Sequence, residues 1–234
     1  MKWLCIHGTG SSATIFQDQL AAVTAHLQPK HAFHFINGPF ASKPAAGLDL
    51  RYPDGPYYTW CPYDGVTERP TEPLPFKAVV FICGGPVFSV LEDMGMTISD
   101  EVHEWDRRTK LALRERASKE AILKWGKDRW TTPGGNGDTD LHLDPSAPID
   151  PSNVFGLDTV QMPQKLRIKI PTIHVYGRVD PRLPASLQLL YLSESTKRLA
   201  CQHEGRHNIP RSSAAAERIA RLIDECAQMM VHTQ

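Results

Sequence analysis

A short apolar run, Lys2–His7, breaks at once into Gly8-Thr9-Gly10, and no other feature of the chain constrains its fold as much. An apolar block of this length that stops on glycine reads as a buried strand entering a tight loop. Ser11 or Ser12 can cap the segment that follows, where Ile15, Phe16, Leu20, Val23 and Leu27 recur at helical spacing. Ala32–Asn37 is again strand-like and stops at Gly38-Pro39. The chain therefore opens β-loop-α-β, the unit from which parallel sheets are built. The expected fold class is α/β, a mostly parallel sheet flanked by helices.

The remainder fits that class in pieces. Phe76–Cys83 is the clearest buried strand, stopped by Gly84-Gly85-Pro86. Residues 99–125, rich in Glu, Lys, Arg, Ala and Leu, are expected to be mostly helical. Ile170–Tyr176 contains a strand, Leu187–Ser193 a helix and Arg198–Gln202 a last short strand. Ser213–Met230 carries apolar residues at 215, 219, 222, 223, 226 and 230, the pattern of an amphipathic closing helix. Two stretches, 41–75 and 130–153, are rich in Pro, Gly and Asp and read as loops. With 234 residues and no internal repeat, residues 1–234 are expected to form a single domain.

Composition narrows the partners. The 26 basic and 26 acidic residues cancel, which leaves no electrostatic footprint for nucleic acid or an anionic membrane. No apolar run approaches the ~20 residues that span a bilayer. The apolar stretch at the amino end stops at His7, too soon for a secretory signal, so a cytoplasmic location is expected. The five cysteines, at 5, 61, 83, 201 and 226, are odd in number and form no C-x-x-C pair. Neither a disulfide framework nor a zinc site is expected from that spacing, and no metal or cofactor is called for. The Gly8-Thr9-Gly10 loop matches neither phosphate-binding glycine motif.

Two late loops carry the chemistry. Tyr176-Gly177-Arg178-Val179-Asp180-Pro181 follows a strand, so Asp180 sits at a carboxyl strand end, where open α/β sheets bind ligands. Gly205-Arg206-His207-Asn208 follows the next strand and precedes the closing helix. Acid before histidine, each after a strand, is the α/β-hydrolase order for these two partners. Such a histidine takes a proton from a nucleophile or water while the carboxylate fixes its tautomer. The opening His7-Gly8-Thr9-Gly10 loop is the third piece: Gly8 and Thr9 can present backbone N–H groups to a developing oxyanion. The alternative is that Asp180 caps a helix, His207 is a loop histidine and the glycines only make a turn.

Other reactive residues read as structural. Cys83 ends a strand before two glycines, but Phe81 is too bulky for the small-residue geometry of a nucleophile elbow, so a buried thiol is expected. Ser11, Ser12 and Ser89 have no elbow context, and Lys2 and His174 look structural. Asp100, Glu101, His103, Glu104 and Asp106 form a charged helix face, expected to be solvated, with a metal site as the alternative.

In this order the blocks resemble the fungal family of small serine hydrolases that includes the LovG-type thioesterases of polyketide pathways. Leu4–Gly10 is similar to that family's opening strand and oxyanion loop, Phe35–Pro39 to its second strand, and Phe76–Pro86 to a core strand. Ser152–Asp158 is similar to a loop of one fungal branch, Ile170–Pro184 to the segment bearing the acid, and His207–Pro210 to the one bearing the histidine. The resemblance implies an α/β-hydrolase that cleaves an acyl ester or thioester, with a polyketide held on a carrier protein as one such substrate. One departure is specific. Pro62-Tyr63-Asp64-Gly65-Val66 is present, but Thr67-Glu68-Arg69-Pro70 stands where the family has its Gly-Phe-Ser-Gln-Gly elbow and helix. No G-x-S-x-G occurs anywhere in the chain. The alternatives to an active hydrolase are a binding or acid–base protein without the serine, or a coding boundary shifted between codons 55 and 80.

Overall fold

The computed structural model describes residues 1–45, 47–60, 76–115 and 149–231, with Glu101, Trp105, Arg108 and 111–115 described by backbone alone. The Pro62–Val66 motif, the stretch 116–125 of the expected helix and most of the 130–153 loop lie outside the described residues. The chain divides into two compact units, Met1–Val79 with Ile209–Gln234, and Val80–Asn208.

In the first unit, β1 (Lys2–Ile6) pairs in parallel with β2 (Ala32–Ile36), in register from Lys2 with Ala32 to Ile6 with Ile36. The helix between them, α1 (Ala13–Leu27), starts at Ser12, whose Oγ accepts the Ile15 N–H at 3.3 Å. That bond satisfies one of the donors a helix start leaves open. Ile15, Leu20, Val23 and Leu27 are buried as their spacing required, and Phe16 meets Phe35 edge-on at 5.8 Å. The last helix of the chain (Ser213–Val231) packs on α1, burying Ala216, Ile219, Ala220, Ile223 and Cys226. A polar relay also runs across this unit. Trp3 Nε1–H donates to His31 Nδ1 at 2.9 Å, which leaves Nε2–H to donate to Asp224 Oδ1 at 2.9 Å. The His31 hydrogen bond holds the Asp224 carboxyl below its ordinary range.

The second unit is built on a three-stranded sheet in the order β5-β6-β7, comprising Val79–Ile82, Thr172–Gly177 and Arg198–His203. β6 and β7 are parallel, from Thr172 with Arg198 to Gly177 with His203. The central strand β6 is buried at all six positions, as a parallel strand covered on both faces should be. Helices α2 (Phe88–Asp93), α3 (Asp100–Glu115) and α4 (Leu183–Leu192) accompany it. Phe88, Leu91, Val102, Leu157, Leu189 and Leu192 lie in one apolar cluster, and Val154, Tyr176, Leu183 and Leu187 in a second. Numbered in chain order, the closing helix is α5.

The α/β class is therefore observed, with differences in detail. Lys2–His7 is not a buried strand. Cys5 is 8% exposed, but Leu4 and Ile6 are 45% and 48% exposed, and among the described residues β1 pairs with β2 in a two-stranded sheet. Phe76–Cys83 shortens to Val79–Ile82, half-buried at each position, and among the described residues β5 stands at the edge of its sheet. Among the described residues the strands of the α/β layers fall into two sheets, β1-β2 and β5-β6-β7. The 41–75 stretch is not wholly irregular, as β3 (Phe40–Ala41) pairs antiparallel with β4 (Tyr58–Thr59). Helix α4 begins four residues earlier than expected. Pro184 in its first turn has no N–H to lose there, so it does not delay the start. Among the described residues no helix is long and apolar enough to cross a membrane.

Candidate active site

Asp180 is placed by the turn that ends β6. Its N–H donates to Gly177 O at 3.2 Å, and its own carbonyl accepts Leu183 N–H at 2.9 Å as α4 begins. Its Oδ1 accepts the Arg182 N–H at 2.7 Å, which fixes the carboxylate's rotation, and the residue is wholly buried. His207 comes from the loop after β7. The two loops are joined by backbone: Arg178 N–H donates to His203 O at 2.7 Å and Val179 N–H to Gly205 O at 3.2 Å. That approach is so close that a Cβ on Gly177 would lie 2.3 Å from Arg206 O and 2.4 Å from Gly205 O, so glycine is required. Gly205 is crowded too, by the His203 ring and the Asn208 side chain, and its N–H donates to His203 Nδ1 at 3.1 Å.

The result is a hydrogen bond from His207 Nδ1–H to Asp180 Oδ2 at 2.9 Å. A carboxylate offers only acceptors, so the proton of this bond sits on Nδ1, and in the neutral tautomer Nε2 is the acceptor. The Asp180 side chain has no exposure and that of His207 has 31%. A buried orienting acid and a ring that reaches solvent are what proton transfer to or from a substrate needs.

Cys83 stands beside this pair and was not expected there. Its Sγ, a carboxylate oxygen of Asp180 and a ring nitrogen of His207 all lie within 4.8 Å of one another. Its N–H donates to Val175 O at 2.8 Å, and its thiol to Asn208 O at 3.7 Å. Burial pushes the thiol pKa up, and the Asp180 charge adds to the effect. A thiol so disposed is protonated at neutral pH, and it is only half-buried rather than the inert core residue expected. The sequence did hold a signal: Cys83 ends a strand, as the segments before Asp180 and His207 do.

Gly8 and Thr9 lie in the first unit, apart in the chain's organisation from Asp180 and His207 in the second. Both are exposed, and the loop that carries them is firmly held. His7 accepts the Gly38 N–H on Nε2 at 3.0 Å, so its Nδ1–H donates to Gly8 O at 2.8 Å. Trp60 Nε1–H donates to His7 O at 2.8 Å. Gly10 N–H donates to Tyr58 O at 2.9 Å, and Tyr58 N–H to Ser11 O at 2.7 Å. Gly10 has φ 73, and a Cβ there would meet Ala45 N at 2.3 Å.

The charged cluster on α3 is not uniformly solvated. Asp106 is 8% exposed and ion-paired with the equally buried Arg182, and Lys110 reaches it at 2.6 Å. Burial works against its ionisation, but the hydrogen bonds from Lys110 and Arg182 outweigh it and hold the carboxyl below its ordinary range. The ion pair is not legible in the local sequence because Arg182 lies 76 positions away. His103 bonds Glu92 at 2.8 Å and Glu104 bonds Arg107 at 2.7 Å, so these groups are paired with one another. His174 is buried between Thr172 Oγ1 and Ser193 Oγ, at 3.2 and 3.0 Å.

The chain is similar along most of its length to curated fungal hydrolases. Esterase mlcF of Penicillium citrinum is 29% identical over 239 residues, covering 93% of this chain and 87% of the relative. Thioesterase FSL2 of Gibberella zeae is 26% identical, over 95% of this chain and 91% of its own. An Aspergillus terreus thioesterase, whose name joins dihydromonacolin L to lovastatin nonaketide synthase, is 26% identical over 88% of this chain and 84% of its own. No solved structure matches the chain at a significant level. The model of the family described as "Serine hydrolase (FSH1)" matches residues 1–91 and 65–219, nearly the whole length. The chain belongs to the FSH1 serine hydrolase family.

Proposed function

We propose that the chain hydrolyses acyl esters or thioesters, with His207 as the acid–base group and Asp180 as its orienter. One observation carries the reading: the 2.9 Å bond from His207 Nδ1–H to a wholly buried Asp180 carboxylate, which makes Nε2 the proton-accepting nitrogen of the neutral ring. Family membership and relatives named esterases and thioesterases support it. In this reading His207 Nε2 takes a proton from water and the water oxygen adds to the acyl carbonyl carbon. The Gly8 and Thr9 N–H groups are the proposed donors to the resulting oxyanion. His207 then returns the proton to the departing alcohol or thiol as the C–O or C–S bond breaks. Water is the attacking group because the chain has no G-x-S-x-G elbow. The substrate proposed is a polyketide acyl chain, free as an ester or held as a thioester on a carrier protein. A relative whose name specifies a nonaketide synthase is the support for that choice.

Purified full-length protein should release p-nitrophenol from medium-chain acyl esters and free thiol from acyl thioesters. If neither substrate class is cleaved above the rate in buffer, the hydrolase reading is lost and a binding protein that keeps the fold takes its place.

A further inference from the structure

Within the second unit one chain of contacts runs from the middle of α3 to the histidine ring, through Asp106, Arg182 and Asp180. Three acceptors converge on a single nitrogen, Arg182 Nη1: an Asp106 carboxylate oxygen, the Asp106 carbonyl at 3.3 Å and Thr109 Oγ1 at 3.0 Å. Lys110 Nζ holds the other oxygen of the Asp106 carboxylate at 2.6 Å, so the group that grips the guanidinium is itself held. The space around the guanidinium is also closed. A Cβ on Gly85 would lie 2.8 Å from Ala185 Cβ and 3.3 Å from Arg182 Nη2. At its backbone the same arginine donates its N–H to Asp180 Oδ1 at 2.7 Å, while Asp180 Oδ2 accepts His207 Nδ1–H at 2.9 Å. Arg182 is thus clamped on α3 by its side chain at the residue whose backbone sets the rotation of the acid.

Stability alone does not account for such a pair. Burying two charges forfeits their hydration, and apolar residues of similar size often hold a fold as well or better. What apolar residues cannot supply is direction, whereas a guanidinium with three acceptors on one nitrogen has one position. We propose that Asp106 and Arg182 are positioning residues: their ion pair fixes the turn that aims the Asp180 carboxylate at His207 Nδ1. Neither touches substrate. Helix α3 then decides, through this pair, which ring nitrogen of His207 carries the proton. Without the clamp the carboxylate turns, and the neutral ring divides between two tautomers, only one of which has its acceptor on Nε2. The effect on rate rests on the hydrolase reading, but the effect on the ring does not.

The test replaces the pair by apolar residues of similar size, Asp106→Leu together with Arg182→Met, which removes the clamp and keeps the backbone N–H of residue 182. The urea midpoint of this double variant should stay near that of the wild type. Proton–nitrogen correlation spectra of the labelled full-length protein, above neutral pH, read the His207 tautomer, with its signals assigned by their absence in His207→Ala. The wild-type ring should be the Nδ1–H form and the double variant's a mixture of both forms. With acyl esters as substrates, kcat should fall about tenfold or more while KM stays within about twofold. A folded double variant that keeps the wild-type tautomer or the wild-type kcat overturns the proposal, because a merely stabilising pair would leave both unchanged. A wild-type ring that is not held as the Nδ1–H form overturns it as well. If the double variant does not fold, Asp106→Asn, which keeps the size and removes the charge, carries the same test with the same outcomes. A wild type that cleaves no ester, but whose tautomer depends on the pair, overturns the function alone and leaves the positioning standing.

Discussion

His174 makes the chain's stability depend on pH, in a direction set by its burial. The ring is 2% exposed on β6, held by the hydroxyls of Thr172 and Ser193. Burial, with a smaller contribution from the Arg198 charge, lowers its pKa from 6.5 to about 4. In the unfolded chain the ring titrates near 6.5, so between the two values the unfolded state binds a proton that the folded state refuses. Stability from this residue is therefore complete above pH 6.5 and is lost as pH falls toward 4. A gap of about 2.5 units corresponds to about 3 kcal/mol once pH is below both values, and to about 2 kcal/mol at pH 5. Urea unfolding at pH 7.5 and pH 5 should show that loss in the wild type. In His174→Gln, which keeps a polar group near Nε2 but does not titrate, the drop between the two pH values should be smaller by about 2 kcal/mol. Equal drops in the two proteins would refute the assignment of a neutral buried imidazole here.

Gly177→Ala should cost about 1–3 kcal/mol in urea unfolding and lower hydrolysis, because the new methyl meets two carbonyls of the histidine loop. Wild-type stability and activity would mean that the two loops do not approach as described. Asp106→Ala leaves Arg182 buried without its carboxylate and should destabilise by about 3–5 kcal/mol, read as a lowered urea midpoint. An exposed pair would show less than about 1 kcal/mol. Ser12→Ala removes the α1 cap and should cost about 1 kcal/mol, with Gly at the same position costing less than Ala.

Legibility in the sequence followed the reach of the interactions. The α1 helix and its Ser12 cap were readable because both depend on residues within one or two turns. The closing helix was readable from its periodicity, and the Asp180 and His207 loops from strand–loop order. Burial of β1 is not legible locally, because an apolar run tells how a strand prefers to be covered but not how many strands lie beside it. Leu4 and Ile6 sit in a two-stranded sheet, and the strength of their apolar character is unchanged by that. Asp106 looked like part of a solvated face, since its partner Arg182 is remote in sequence. The bulk of Phe81 argues against an elbow at Cys83 but says nothing about which strand ends share an edge. All three cases concern long-range pairing, which local pattern cannot encode.

In the proposed reaction His207, oriented by Asp180, performs hydrolysis without a serine nucleophile. Its most direct test is the rate of acyl-ester cleavage by wild-type, Asp180→Asn and His207→Ala proteins, each with and without a fluorophosphonate. The wild-type rate should be indifferent to the inhibitor and should fall about 10²-fold or more in His207→Ala, the usual contribution of a positioned acid–base group. Asp180→Asn should fall with it. A rate abolished by the fluorophosphonate, or one left intact by His207→Ala, would contradict the claim.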